Sequence, residues 1–185
     1  ARAADRAGRD PASVRLVAVS KTFSPELIRI AADAGQTDFG ENKIQEALEK
    51  MAATSDLALR WHHIGHLQSN KAKKAVGFST LHGVDSTDLL RRIDQAAHAA
   101  GQHPSVLIQV DLAQEPTKFG AQPIDVPAIL GTAAGCLSAS VQGLMTLPPA
   151  VDDPEEARPY FRRLRALRDE WLSLGIAPSM LGGMS

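Results

Sequence analysis

Several things are scarce in this chain, and each scarcity removes a class of function. Its 185 residues contain one cysteine, Cys136. That excludes an internal disulfide and a multi-cysteine metal centre, and it fits a reducing cytoplasm. Net charge is almost absent: 20 Lys+Arg against 21 Asp+Glu leave −1. Such a balance gives no electrostatic grip on nucleic acid or on a membrane surface, and neither is expected as a partner. No window approaches the ~18 apolar residues of a membrane span, and no signal-peptide pattern is visible, so a cytoplasmic protein is expected. A nucleophile elbow, a Gly-rich dinucleotide loop, a P-loop and a carboxylate pair are all missing. The one tyrosine, Tyr160, stands in a helical stretch beside Pro159 rather than at a strand end.

What is present is an ordinary globular composition, 44% hydrophobic and 22% charged, enough for one domain over 1–185. Residues 14–22, Val-Arg-Leu-Val-Ala-Val-Ser-Lys-Thr, organise the rest. The apolar run reads as a parallel strand buried on both faces. Lys21 stands where the run stops, just before Ser24-Pro25-Glu26, a helix start with Ser as N-cap and Pro in the first turn. A lysine at such a βα junction lies on the carboxyl edge of the sheet, where α/β folds gather ligands. Partial desolvation there favours the free amine as a nucleophile toward carbonyl compounds.

The remaining chain alternates helix and strand. Strands are expected at 37–42, 59–65, 81–85, 105–111 and 141–147, with a seventh beginning at 179. Helices are expected at 25–34, 43–53, 70–76, 86–100, 126–134 and 154–174, after an opening helix closed by Gly8. The strict alternation, with no linker and no repeat, leaves a (β/α)8 TIM-type barrel or an open doubly wound sheet. Seven strands in step favour the barrel. The chain looks cut at both ends, with the start of the first helix and the eighth strand missing.

Strand ends and loops supply the groups with chemistry. Asn42 ends the second strand and can point into the same mouth as Lys21. His62 and His63 are adjacent on the third strand and face opposite ways, so at most one enters the barrel. With His66 beyond them they do not form a metal signature, and no metal is expected. Residues 68–74 start a basic helix whose N-terminus could take a phosphate, although a solvated charged face explains it more simply. Lys118, in the loop 115–120, is a second amine on the carboxyl side. Met145 ends the sixth strand and could form a soft wall against a flat ring. Gly182-Gly183-Met184-Ser185 follows the seventh strand, where barrels commonly bind phosphate through backbone N–H groups.

The strings V-A-V-S-K-T, D-F-G-E-N, W-H-H-I-G-H-L-Q-S-N-K, E-P-T-K-F-G, G-L-M-T-L-P-P and G-M-S together resemble, in order and spacing, the pyridoxal 5′-phosphate homeostasis proteins. The resemblance implies one barrel like the N-terminal domain of alanine racemase, with pyridoxal 5′-phosphate held on Lys21 as a Schiff base. It places Val19, Asn42, His62 and Met145 in the pocket and Ser185 at the phosphate. It departs from the family at Met180–Ser185 and in lacking the strand-eight arginine and Gly-Thr. A carrier follows rather than an enzyme, because a racemase needs an acid–base group on each cofactor face and only Lys21 can be named. An amino-acid racemase is the alternative. A monomer that hands its cofactor to apo-enzymes is the expected biology.

Overall fold

In the computed structural model, which describes residues 2–113 and 119–185, seven strands form one sheet in sequence order, every neighbouring pair parallel. The strands are β1 (Ala18–Val19), β2 (Asp38–Glu41), β3 (Arg60–His63), β4 (Thr80–Val84), β5 (Ser105–Gln109), β6 (Ser140–Met145) and β7 (Gly183–Met184). The helices are α1 (Arg2–Arg6), α2 (Pro25–Asp33), α3 (Ile44–Ala53), α4 (Ala72–Ala75), α5 (Thr87–Ala100), α6 (Val126–Ala133) and α7 (Arg158–Ser173). A strand order that never reverses gives a curled barrel wall rather than a doubly wound sheet.

Local chemistry explains several boundaries. The Ser86 hydroxyl accepts the Leu89 N–H (3.3 Å) to open α5, and Gly101 closes it at φ +62°. Gly8 and Gly35 take the same left-handed region after α1 and α2 (φ +63° and +96°), which costs a residue without Cβ nothing. Ser24 stands in the N-cap position of α2 but makes no capping hydrogen bond to the backbone.

Alternation along the strands divides the residues into two sets. Phe39, Trp61, Leu81, Ile108 and Leu144 face the helices and join Leu90, Ile93, Leu164 and Trp171 in one buried cluster. Each such side chain contributes about 1.5–3 kcal/mol through removal from water. Asp38, His62, His82, Gln109 and Met145 are also buried but lie outside that cluster; they face the barrel interior.

The structure corrects four sequence expectations. The first strand is two residues long and pairs only with β2. Being an edge, it leaves Val14 59%, Leu16 73% and Val19 46% exposed, so it is not buried on both faces. The basic helix is a 3-10 turn at Ser69–Lys71 followed by the single turn of α4. The long acidic-to-basic helix splits at Arg158, its start being a 3-10 turn (Pro154–Ala157) opened by Asp153. The expected seventh strand over 179–185 opens on a 3-10 turn (Pro178–Met180) and is a strand only at Gly183–Met184. Lys118 lies outside the described residues.

β6 and β7 meet at paired glycines, Gly143 and Gly183. A Cβ on Gly143 would collide with the Gly183 backbone, whereas one on Gly131 in α6 would meet nothing within 4 Å. Gly143→Ala should therefore lower stability by about 1–3 kcal/mol. Gly131→Ala should raise it by about 0.5–1 kcal/mol. Urea midpoints of the two variants check both signs.

Candidate functional site

Lys21 sits in the turn that follows β1, exposed rather than partly desolvated as its place at the strand end suggested, and among the described residues no carboxylate lies within 4 Å of its amine. Its two neighbours, by contrast, are held tightly. The Ser20 N–H donates to the Gly40 carbonyl (2.9 Å), and the Ser20 hydroxyl donates to Glu41 Oε1 (2.7 Å). The Lys50 ammonium reaches from α3 to donate to the Ser20 carbonyl (2.8 Å), to Glu41 Oε1 (2.8 Å) and to Glu46 Oε1 (2.6 Å). The Thr22 N–H also donates to Glu46 Oε1 (3.0 Å).

One ion-pair network thus brackets Lys21 from both sides. Thr22 is the only described non-glycine residue at positive φ (+70°). That conformation is strained for a β-branched residue and persists where its surroundings fix it. Lys50 and Glu41 are 5% and 0% exposed. Burial works against the Lys50 charge, but the hydrogen bonds it donates to Glu41 and Glu46 outweigh it and hold its pKa above the ordinary lysine value.

Inside the barrel, Asp38, His62 and His82 form a chain across β2, β3 and β4. His62 Nε2 lies 2.9 Å from Asp38 Oδ1, and His62 Nδ1 lies 2.9 Å from His82 Nε2. Arg60 donates twice to Asp38 (2.8 and 2.6 Å). This guanidinium, assisted by His62, holds the Asp38 carboxyl well below its usual range. Burial pushes His62 below the usual imidazole value against the pull of Asp38. Burial also takes His82 down to about 4 and His63, on the helix side against Phe78, down to about 4. With neutral rings the order is fixed: His62 Nε2–H donates to Asp38, and His82 Nε2–H donates to His62 Nδ1.

A cavity of about 1470 Å³ extends from Arg15 and Val17, ahead of β1, to β7, with His62, His82, Leu107, Gly183 and Ser185 in its wall. Of the sequence-derived site residues, His62 and Ser185 line it. Lys21, Val19, Asn42 and Met145 do not. Val19 is half-exposed on β1, Met145 is buried at the end of β6 opposite Gln109, and Asn42 is exposed after β2, in contact range of Gly65. Ser185 is tied to β6 by its backbone: its N–H donates to Leu144 (2.9 Å) and its carbonyl accepts from Thr146 (3.0 Å). A Cβ on Gly182 would meet nothing closer than 3.9 Å, so that backbone is open to approach. Among the described residues no His, Cys, Asp or Glu cluster could hold a metal ion.

Residues 1–183 match the family described as alanine racemase, N-terminal domain. The pyridoxal phosphate homeostasis protein of Aquifex aeolicus is 41% identical over 170 residues, which cover 91% of this chain and 75% of that protein. PipY of Synechococcus elongatus PCC7942, solved with PLP bound, superposes at TM-score 0.84 with 36% identity, covering 99% of this chain and 85% of that one. The alanine racemase of Clostridium difficile 630 shares only the fold, at TM-score 0.72 and 15% identity over 91% of this chain and 47% of its own. This chain belongs to the pyridoxal phosphate homeostasis protein family.

The donor set fits the family's cofactor. An amine with no ion-pair partner among the described residues (Lys21), a thioether (Met145), and an open glycine beside a hydroxyl (Gly182, Ser185) suit an aldehyde, a flat ring and a phosphate. Sequence reasoning missed the Lys50 network altogether. Its one local signal was the Glu46–Lys50 spacing, a favourable i,i+4 pair. It also missed the partners of His62, although alternation on β3 already separates His62 from His63.

Removing Lys50 strands the Glu41 carboxylate, which has no exposed surface and whose Oε2 already lacks a partner. Lys50→Met should cost about 3–5 kcal/mol, and Lys50→Met with Glu41→Leu should recover most of it; urea unfolding measures both. The histidines predict a pH dependence. His63 and His82 have folded values near 4 against about 6.5 unfolded, so the unfolded chain alone takes up protons as pH falls through that window. Stability should therefore drop between pH 7 and 4.5, and His82→Gln should flatten the slope of urea midpoint against pH. Asp38 contributes oppositely placed stability, present above the ordinary carboxylate value and lost only as pH falls below it.

Proposed function

We propose that this chain binds pyridoxal 5′-phosphate through Lys21 and serves in its homeostasis, as a carrier rather than an enzyme. The observation that carries the reading is the Ser20–Lys21–Thr22 turn. Both flanking residues are pinned by the Lys50 network, while the amine between them is exposed and unpaired with any described carboxylate. A lysine presented this way is available to an incoming carbonyl without first breaking an ion pair. When bound, the cofactor supplies an aldehyde that condenses reversibly with an amine. Val19 and Met145 give apolar surface on either side of the mouth, Asn42 gives an uncharged donor and acceptor, and Ser185 with Gly182 receives the phosphate. His62 is committed through both ring nitrogens and acts as a fixed polar floor, not as a proton carrier.

Apo-enzymes that need the cofactor are the recipients in this reading, and the carrier works as a cytoplasmic monomer. Among the described residues no helix is long and apolar enough to cross a membrane. The rival from the enzyme class is an amino-acid racemase. That chemistry requires an acid–base group opposite Lys21, and Tyr160 stands in α7, on the helix layer.

Titration with pyridoxal 5′-phosphate should raise an absorbance band near ~420 nm. Lys21→Ala should abolish it, and Lys73→Ala, an exposed lysine of α4, should not. A band that survives Lys21→Ala overturns the assignment of the lysine. Turnover of D- or L-alanine above background favours the racemase.

A further inference from the structure

On the carboxyl edge of the sheet, where the first turn of α3 faces the segment after β3, there is a second pocket of about 310 Å³. Lys43, Ile44, Gln45, His63, Lys71 and Lys74 are in its wall, and Asn42, assigned above to the cofactor mouth, borders it. We propose that this pocket binds a small phosphate-bearing anion, at a site separate from Lys21.

The wall is cationic and unsatisfied. Among the described residues no carboxylate lies within 4 Å of Lys43, Lys71 or Lys74. The one acidic residue in the first turn of α3, Glu46, is turned away into its bonds with Lys50 and the Thr22 N–H. His66 has Asp85 at 3.8 Å and is stacked on Phe119 at 3.6 Å. The ten-residue helix α3 begins with no side-chain cap: Lys43 is extended and its side chain makes no capping hydrogen bond. Ile44 and Gln45, both in the pocket wall, therefore stand at an uncapped helix start, at the positive end of the helix dipole.

An independent observation comes from His63. Its side chain is 1% exposed, and its Nδ1 is buried with no hydrogen-bond partner. Orphaned buried polar atoms are uncommon, and each calls for a missing partner. Edge-on packing against Phe78 (centroids 5.4 Å apart, planes at 80°) fixes the ring, so the nitrogen cannot turn to water. A neutral imidazole can present an N–H there, and burial keeps His63 neutral at physiological pH.

The ligand class follows from the wall. Three lysines exclude a cation and make an apolar guest costly to enclose. Ammonium groups, helix N–H groups and an imidazole converging on one small volume suit the several acceptor oxygens and double charge of a phosphate better than the two oxygens of a carboxylate. The volume lies at the lower end of small-molecule sites, which limits the guest to inorganic phosphate or a compact phosphate ester.

The test is calorimetric titration of the full chain with inorganic phosphate, phenyl phosphate and acetate at constant ionic strength, with the His63 imidazole signal followed by NMR. Saturable binding of a phosphate probe that shifts His63, with acetate much weaker, is expected, and the stronger probe tells free phosphate from an ester. Lys71→Ala with Lys74→Ala should weaken binding by about tenfold or more, since each charge-assisted bond contributes ~1.5–3 kcal/mol. Lys73→Ala, whose side chain is not in the wall, should leave it unchanged. No saturation, acetate binding equal to phosphate, or an equal loss in Lys73→Ala overturns the proposal. Saturation that leaves the His63 signal unmoved also overturns it, by assigning the phosphate to Ser185 and Gly182.

Discussion

The contact between Lys50 and Glu41 is the constraint on which the rest of the site depends. It joins a helix to the end of a strand in a region almost without solvent, where an unpartnered charge would be expensive. Because the same ammonium also holds the Ser20 carbonyl, and the same network holds the Thr22 N–H through Glu46, the geometry of the β1 turn is set from α3. Lys21 makes none of these contacts. Its exposure is therefore a product of its neighbours' engagement: the backbone on either side is fixed while the side chain keeps its freedom.

A second division runs through the sheet. The outward set of strand residues is apolar and packs on helices, whereas the inward set carries an aspartate, two histidines, a glutamine and a methionine. Burying that polar set is tolerable because its members satisfy one another. Asp38 accepts from Arg60 and His62, and His62 accepts in turn from His82. A chain of donors that all run one way gives the interior a defined polarity.

Much of the fold was legible in the sequence because parallel strands bury continuous apolar runs and helices betray themselves by spacing. The order of elements, Lys21 at the first strand end and the opposite facing of His62 and His63 follow from such local rules. What escaped is what depends on distant partners. Lys50 falls beside the apolar positions Ala47 and Met51 and reads as solvated, yet it is buried by groups 9 and 30 residues away. The first strand reads as doubly buried, since nothing in its composition reveals that only β2 pairs with it. The basic stretch reads as a helix over 70–76, but only Ala72–Ala75 form an α-turn, with the tighter 3-10 turn Ser69–Lys71 before it.

The glycines of the inner face have a wider consequence. Barrels of this class are ordinarily solid, plugged by stacked layers of large side chains. Here Gly40 stands between Val19 and His62 on adjacent strands, and Gly143 stands level with Gly183, so the β6–β7 pair contributes no side chain at that level. At β7 the cavity wall passes through Gly182 and Gly183, where only main chain is present, while His62, His82 and Leu107 close other parts of it. Rotamer changes can reshape those other parts, but the glycine stretch is as rigid as the sheet itself.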